Sequence, residues 1–233
     1  MYRQSKYAKI ISILYPRIAP HIRASRTITK LIFKVTPYPR HRYTHWDLCT
    51  LVLKKALDKY VKEHQRILEM GSSDTGILCM YIAKKRNGLN VTGVDISPDF
   101  VENAGRNAEK NNLKITFIQS DLFSNIEGSF DVIFFNPPYN PTEWGRKYMR
   151  NIPEKGASNV WDGGKDSYDI IRRFLGEAPG YLSPDGKILL GTMLFFQEES
   201  RLLEIFNETG LELISTVSAR INPGKVYVLG KKA

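Results

Sequence analysis

From residue 46 onward, short apolar runs alternate with longer amphipathic segments, and this alternation constrains the fold more than any other feature of the sequence. The short runs are rich in β-branched and aromatic residues, and the segments between them have helical periodicity. Strands that alternate with helices in this way predict an α/β fold with a parallel, doubly wound sheet. We expect strands at 66–70, 90–95, 114–118, 130–135, 187–193, 212–218 and 225–230, and helices at 46–60, 76–86, from Ser97, 166–178 and 198–209.

The connections between these elements refine the prediction. Asn222-Pro223-Gly224 joins the last two strands and leaves no room for a crossover helix, so these strands should pair antiparallel. Ser183-Pro184-Asp185-Gly186 predicts a turn before the strand that begins at 187. Residues 140–165 have little periodicity, and because a gap of this length in a compact domain is usually functional, we expect it to lie over the site.

The net charge of +10 is concentrated at the N-terminus. Residues 1–46 contain 10 Lys and Arg and no Asp or Glu, whereas the rest of the chain contains 24 basic and 24 acidic residues. We therefore predict a basic N-terminal extension, residues 1–45, before a folded domain, residues 46–233. Four roles are open for the extension. The four are neutralisation of nucleic-acid phosphates, binding to an anionic membrane surface, targeting to an organelle, and packing on the domain as short helices with the charges outward.

Composition disfavours several classes of protein. No apolar run reaches 18 residues, so no transmembrane segment is expected, and no secretory signal pattern is present. Cys49 and Cys79 lie in apolar helical contexts, which favours a reducing compartment over a disulfide framework. The expected location is the cytoplasm, or an organelle if the extension is a targeting segment. His41, His45 and Cys49 share a helical spacing, but no second ligand cluster completes them, and no metal is expected.

The run Asp131–Phe135 predicts a buried central strand that stops at Asn136-Pro137-Pro138-Tyr139. Neither proline can donate to a β-ladder and each fixes its own φ angle, so the strand must end there. Asn136 then lies at the carboxyl end of a parallel strand, where open α/β sheets bind their ligands. A rigid corner with an amide and an aromatic ring suits a site that grips a flat NH₂ group. The alternative is an ordinary Asn-Pro turn.

A second set of polar residues follows the first three predicted strands. The segment from Glu69 to Gly76 forms the first strand-to-helix turn, where small residues let a ligand approach the backbone and a helix N-terminus. Asp95 ends the second strand, about twenty residues after this turn, and this is the sequence separation expected of a carboxylate that binds both hydroxyls of a ribose. Asp121 follows the third strand and can hydrogen-bond an exocyclic amine. The G-x-G-x-x-G pattern is absent, which disfavours a dinucleotide.

In combination, these positions resemble the class I methyltransferases that use S-adenosylmethionine as cofactor, over about residues 43–233. The resemblance implies a Rossmann-like sheet of seven strands, mostly parallel, with a C-terminal antiparallel hairpin. Ser73 and Thr75 replace the usual alternating glycines of the loop, which makes backbone contacts with the cofactor there less certain. The implied cofactor-binding residues are Glu69, Gly71, Ser73, Asp95, Ile96, Asp121, Leu122 and Asn136.

The same resemblance assigns positions around the cofactor. Glu69 is expected near the methionine amino group, and Gly71 is expected under the cofactor. Asp95 is expected to bind the ribose, and Asp121 is expected to contact the adenine.

Asn136-Pro137-Pro138-Tyr139 resembles the Asn-Pro-Pro-Tyr signature of methyltransferases that act on planar nitrogens: adenine N6, guanine N2, cytosine N4 and glutamine N5. The lone pair of such a nitrogen is delocalised, so the nitrogen is a poor nucleophile. The resemblance implies that the Asn136 side-chain oxygen and the Pro137 carbonyl accept its two N–H bonds, and that Tyr139 stacks on the substrate. These three residues are the predicted catalytic residues, and positioning of this kind contributes roughly 7–11 kcal/mol.

Two substrate classes compete, and we favour the first. The corner, followed by Trp161-Asp162-Gly163-Gly164, is similar to the HemK-type glutamine methyltransferases, which modify the Gly-Gly-Gln motif of translation release factors. This resemblance implies a translation-factor-like protein as partner. The implied substrate-binding residues are Pro138, Tyr139, Trp161, Gly163 and Gly164.

The second class is RNA. Tyr43-Thr44-His45-Trp46 is similar to an element of adenine-N6 RNA methyltransferases, which adds His45 to the substrate-binding residues. An aromatic residue that packs on the core at a helix start explains the same segment. The neutral folded domain favours a protein substrate, and the basic extension favours RNA. A third hypothesis is a binding module that retains the fold but does not catalyse methyl transfer. Some methyltransferases that resemble this chain also require a small activator subunit, so such a subunit is a further candidate partner.

Overall fold

A seven-stranded sheet forms the centre of the molecule. The computed structural model describes residues 21–23, 25–40, 46–148, 161–194, 197–220 and 222–232. Its strands are β1 (Arg66–Met70), β2 (Asn90–Asp95), β3 (Thr116–Gln119), β4 (Phe130–Phe135), β5 (Leu182–Met193), β6 (Leu211–Ala219) and β7 (Asn222–Lys231), in the order β3-β2-β1-β4-β5-β7-β6. β1 to β5 pair in parallel, and β7 pairs antiparallel with both β5 and β6. The predicted α/β sheet with its antiparallel C-terminal hairpin is confirmed.

Helices cover both faces of this sheet. They are α1 (Arg26–Phe33), α2 (Leu48–Tyr60), α3 (Ile77–Lys85), α4 (Pro98–Lys110), α5 (Thr142–Tyr148), α6 (Asp169–Glu177) and α7 (Glu199–Glu208). α2 and α3 contribute to one apolar cluster, and α6 and α7 contribute to a second. β4 contributes Phe134 to the first cluster and Phe135 to the second, because successive side chains of a strand point to opposite faces. Among the described helices, none has the length and apolar character needed to cross a membrane.

One predicted turn is part of a strand. β5 begins at Leu182 and runs through Ser183–Gly186, instead of starting after that segment. Phe130 of β4 pairs with Leu182 and Val132 pairs with Lys187, so the extra residues of β5 bulge out of the ladder between the two pairs. A bulge absorbs extra residues in one strand without ending it, which is why turn-forming residues here do not mark a strand boundary.

The aperiodic segment 140–165 also contains regular structure. α5 occupies its beginning, where we predicted none. The helix has 7 residues, about two turns, and this is too short for helical periodicity to be recognised in the sequence. Residues 149–160 lie outside the described part of the chain.

Part of the predicted basic extension packs on the domain. Phe33 and Val35 belong to the first apolar cluster, and the Trp46 indole N–H donates to Thr29 Oγ1 at 3.1 Å. The helix α1 keeps its charges outward, as one of the four interpretations expected, since Lys30 is exposed. Residues 1–20 and 41–45 lie outside the described ranges, so the division of the chain at 45/46 stays a prediction.

Two asparagines, Asn107 in α4 and Asn111 directly after it, hold the segment that follows α1. Thr36 N donates to Asn111 Oδ1 at 2.8 Å, and Asn111 Nδ2 donates back to Thr36 O at 2.9 Å. One helical turn earlier, Tyr38 N donates to Asn107 Oδ1 at 2.7 Å, and Asn107 Nδ2 donates to Tyr38 O at 3.3 Å. These amide side chains bond an extended backbone as a neighbouring strand would.

The prolines of this segment fit the same pattern. Pro37 and Pro39 have no N–H, and they alternate with the residues whose N–H groups are bonded. The Arg40 N–H continues the series and donates to Asp74 Oδ2 at 2.6 Å. Asp74 is fully buried in the turn after β1, so the extension is tied directly to that turn.

Candidate active site

A cleft of about 560 Å³ opens where β1, β2 and β4 end, beside Met70, Asp95 and Phe135. All but one of the site residues predicted from the sequence line it. They are Glu69, Gly71, Ser73, Asp95, Ile96, Asp121, Leu122, Asn136, Pro137, Pro138, Tyr139, Trp161, Gly163 and Gly164. His45 lies outside the described residues. The structure therefore brings the two predicted halves of the site into one cleft, while the role of each residue stays a prediction.

The turn after β1 lets a ligand approach the backbone. Gly71 has a φ angle of +66°, and a Cβ at this position would lie 3.0 Å from the ring of Phe135. Ser73 also has a positive φ angle, +59°, which an L-residue adopts only at a cost. The serine that replaces a glycine therefore keeps a glycine-like conformation, and its N–H donates to Asp95 Oδ2 at 2.9 Å.

Glu69 is a buried carboxyl group at the end of β1. It is 6% exposed, and its Oε2 accepts a hydrogen bond from Cys79 N at 2.9 Å. Burial raises the pKa of Glu69 to about 8, the nearby charge of Asp95 adds to this, and hydrogen bonding by Cys79 opposes it. Glu69 is thus mostly protonated at neutral pH, and a cation placed beside it would favour the ionised form.

Asp95 is the second buried carboxyl group of the cleft. Burial raises its pKa to about 6, although the N–H groups of Ser97 and Ser73 oppose the shift. Ser97 N donates to Oδ1 at 3.0 Å and Ser73 N donates to Oδ2, so backbone donors orient both carboxylate oxygens. Each oxygen has a further lone pair and can accept a hydroxyl from a diol.

Asp121 has an ionic partner on α6. Arg173 of α6 places its Nη2 2.9 Å from Asp121 Oδ2, and this contact raises the pKa of Arg173. Both side chains are about half exposed, so the pair contributes little to the free energy of unfolding. The contact nevertheless fixes a cation beside the residue that was predicted to meet an adenine.

Asp47 holds the two side chains of the Asn-Pro-Pro-Tyr corner. Asn136 Nδ2 donates to Asp47 Oδ1 at 3.3 Å, and the Tyr139 hydroxyl donates to Asp47 Oδ2 at 2.5 Å. The NH₂ end of the Asn136 amide therefore points to the carboxylate. Asn136 Oδ1 is buried and has no hydrogen-bond partner among the described residues. A buried unpaired acceptor costs about 1–3 kcal/mol, and an N–H group of a ligand would remove that cost.

The Gly-Gly segment lies directly against this corner. Asn140 N donates to Trp161 O at 3.0 Å, and Gly163 N donates to Asn140 O at 2.8 Å. A Cβ at Gly163 would lie 2.7 Å from the carbonyl oxygen of Pro138, so this approach requires glycine. Gly164 has a φ angle of +91°, which also favours glycine.

The residues of the cleft that the sequence analysis missed include the charged residues Arg23, Asp47 and Arg173. For Asp47 a local signal existed, because Asp47 and Thr50 have the spacing of a helix capping box. That spacing identifies the start of a helix, but it gives no indication of a contact with Asn136, 89 residues away.

Comparison with known proteins adds independent information. Residues 41–165 match the sequence profile of the family described as Methyltransferase small domain. A putative protein N5-glutamine methyltransferase of Methanocaldococcus jannaschii is 41% identical over 138 residues, covering 59% of this chain and 65% of that protein. A release factor glutamine methyltransferase of Haemophilus influenzae is 31% identical over 175 residues, covering 71% of this chain and 59% of that protein.

The matched part of the chain thus spans less than two thirds of the length of these two relatives. Among solved structures, the crystal structure of a methyltransferase from Pyrococcus furiosus superposes with a TM-score of 0.62 at 22% identity. That match covers 92% of this chain and 96% of the other chain, and it supports the fold.

Proposed function

Because the chain belongs to the Methyltransferase small domain family, we propose that it is an S-adenosylmethionine-dependent N-methyltransferase that acts on a planar nitrogen. The acceptor that the site supports best is the side-chain nitrogen of a glutamine in a protein resembling a translation factor. Relatives named for glutamine methylation in M. jannaschii and H. influenzae support this choice.

One observation carries the proposal: the buried, unpaired side-chain oxygen of Asn136. Asn136 lines the cleft together with Pro137 and Tyr139. A primary amide has two N–H donors on a flat nitrogen, and it can satisfy this acceptor while its plane lies against an aromatic ring. A carboxylate or an ether has no N–H and would leave the oxygen unpaired.

The chemistry assigned to the corner is positioning. If Asn136 Oδ1 and the Pro137 carbonyl accept the two N–H bonds, the lone pair of the substrate nitrogen points out of the amide plane. A nitrogen that gains a methyl group loses its conjugation and becomes positively charged, so one of its two protons becomes acidic and water can take that proton. No strong base is therefore required, and orientation supplies most of the rate.

The residues of the other half fit S-adenosylmethionine. Bound there, the cofactor supplies a methyl group on a positively charged sulfur. Gly71 leaves the backbone open to it, and Asp95 is oriented to take the two ribose hydroxyls. Glu69 is assigned to the amino group, since a buried carboxyl group with a raised pKa is stabilised in its charged form by a cation. Asp121 is assigned to the adenine, together with the neighbouring Leu122 backbone.

A second candidate function is adenine-N6 methylation of RNA. The basic extension favours it, because residues 1–46 contain 10 cationic residues and no acid. Cationic segments of this kind bind phosphates through the release of counterions. His45 belongs to this alternative, and an extruded base would stack on Tyr139 as an amide plane would.

Transfer of a tritiated methyl group tests the proposal. We expect label on a purified release factor, lost when the acceptor glutamine is replaced by alanine, and no nuclease-sensitive label on total RNA. Label that nuclease removes would support RNA instead. Addition of cell extract to both reactions reveals any requirement for a small activator subunit.

Calorimetry with S-adenosylmethionine separates an enzyme from a non-catalytic module. No binding at millimolar cofactor would support the module.

Two buried free cysteines, Cys49 and Cys79, fit the cytoplasm that we propose as the location. Fluorescence microscopy of the tagged full chain tests that location.

A further inference from the structure

Asp47 occupies the N-cap position of α2. Its Oδ1 accepts from Thr50 N and from Thr50 Oγ1, both at 2.8 Å, and Asp47 N donates to Thr50 Oγ1 at 3.0 Å. This capping box fixes the carboxylate on the frame of the helix. A cap needs only one side-chain oxygen for this purpose, and serine or threonine commonly supplies it.

The same carboxylate also bonds both side chains of the corner. Oδ1 accepts from Asn136 Nδ2 and Oδ2 accepts from the Tyr139 hydroxyl. Neither contact contributes to capping the helix. Both bonded groups belong to residues that the proposed function places against the substrate nitrogen.

The acceptor oxygen of Asp47 determines which end of the Asn136 amide points away from it. A carboxylate only accepts hydrogen bonds, so the NH₂ of Asn136 must point to it and Oδ1 must point away. The opposite orientation would place the carbonyl oxygen of Asn136 against the carboxylate, with loss of a charge-assisted hydrogen bond. In the observed orientation, Oδ1 is the buried atom that has no partner among the described residues.

We infer that Asp47 is a positioning residue that makes Asn136 an acceptor, so that the site takes a glutamine amide and rejects a glutamate carboxylate. The inference rests on the proposed function, since it concerns the substrate of that site. Glutamine and glutamate have nearly the same shape, and a discrimination between them must therefore come from hydrogen-bond polarity or from charge. A locked acceptor discriminates in this way, because it bonds an N–H and repels a carboxylate oxygen.

Two variants separate positioning from capping. Asp47→Ser keeps the cap, because a serine hydroxyl accepts from the Thr50 N–H, but its side chain is too short to reach Asn136. We expect a folded protein whose thermal midpoint falls only through loss of the bonds to Asn136 and Tyr139, an unchanged dissociation constant for S-adenosylmethionine, and a fall in kcat of about 10- to 100-fold. Asp47→Asn can still accept from Asn136 through its amide oxygen, and it should retain kcat to within about fivefold.

The decisive measurement is the affinity for a glutamate-containing substrate. The probe is a release factor in which the acceptor glutamine is replaced by glutamate, titrated into the enzyme with S-adenosylhomocysteine present. In Asp47→Ser the Asn136 amide is free to turn its NH₂ toward a carboxylate, so we expect this probe to bind about tenfold more tightly than to the wild type. Asp47→Asn should keep the discrimination of the wild type, because the amide remains locked.

Three outcomes would overturn the inference. A kcat of Asp47→Ser equal to that of the wild type would show that the contact with Asn136 has no role in transfer. Tighter binding of the glutamate probe to Asp47→Asn would assign the discrimination to the charge of Asp47, not to the orientation of Asn136. A wild-type enzyme that transfers no methyl group to glutamine would overturn the proposed function together with this inference. The transfer assay on the wild type reveals that failure before any variant is measured.

Discussion

The two halves of the cleft hold their polar groups in different ways. Beside β1 and β2, Asp95 accepts from the backbone N–H groups of Ser73 and Ser97. At the end of β4, Asn136 depends on the side chain of Asp47, 89 residues earlier in the chain. Backbone donors persist when a side chain changes, whereas a side-chain partner is lost with one substitution. The first half should therefore tolerate sequence change better than the second.

The halves also differ in what they lack. The half near β1 buries two carboxyl groups with raised pKa values, and a positively charged ligand would stabilise the ionised form of both. The half near β4 buries a neutral oxygen without a hydrogen bond among the described residues. One half is therefore suited to a cation and the other to an N–H donor, and substitutions should affect cofactor binding and transfer separately.

The largest expected effect separates the two halves directly. Asn136→Ala should lower kcat by about a thousandfold or more, because it removes the oriented hydrogen-bond acceptor that positions the substrate nitrogen for methyl transfer. The dissociation constant of S-adenosylmethionine should change by less than about twofold, as calorimetry would show. Asn87→Ala, at an exposed position, is the matched control. Loss of cofactor binding by Asn136→Ala would mean that the corner has been misassigned.

The next effect tests the approach of the Gly-Gly segment to the corner. Gly163→Ala would place a Cβ 2.7 Å from Pro138 O and 3.1 Å from Tyr139 Cα, so it should cost about 1–3 kcal/mol in the free energy of unfolding and lower kcat. Urea denaturation and the transfer assay measure the two effects. Gly176→Ala, in α6, should instead stabilise the protein by about 0.5–1 kcal/mol, because no atom of the described residues beyond its neighbours and its own helix backbone lies within 4 Å of the added methyl group. Equal stability of the two variants would contradict the close contact.

A smaller effect concerns the pH dependence of the first half. The pKa of Glu69, about 8, lies above its unfolded value, so cofactor affinity should rise between pH 6 and pH 8, by at most about tenfold per unit. By the same linkage, the free energy of unfolding should fall as pH rises through this window, because the folded state binds the extra proton. Glu69→Gln should bind about tenfold more weakly and lose both dependences.

Calorimetry and urea denaturation at several pH values check this prediction. The exposed Glu63→Gln is the control and should behave like the wild type. A cofactor affinity of the wild type that stays constant from pH 6 to pH 8 would remove Glu69 from the amino-group site.

The smallest effect concerns Ser73. Since its φ angle is +59°, Ser73→Gly should relieve backbone strain and raise the free energy of unfolding by up to about 1 kcal/mol. Cofactor affinity should stay the same, because the N–H that donates to Asp95 is a backbone group. A large change in affinity would show that the serine side chain itself contacts the cofactor.

Features set by local sequence could be predicted, and features set by distant contacts could not. The strands and the corner at Asn136 were predicted because apolar periodicity and prolines act within a few residues. The cap at Asp47 has a local signal, but its bond to Asn136 depends on the folded topology. The bonds between Asn107 and Tyr38 escaped prediction for the same reason, since they join residues 69 apart in the chain.

The bridge between Asn140 and Asp162 has an evolutionary consequence. Hydrogen bonds of Asn140 with Trp161 and Gly163 hold the two ends of the intervening chain together, and the entropic cost of joining two ends grows only slowly with the number of residues between them. Doubling the number of intervening residues would cost about 0.6 kcal/mol, which is small compared with the stability of a domain. Insertions and deletions between these two residues can therefore accumulate over generations at little cost in stability, while Asn140 and Asp162 keep their places beside the corner.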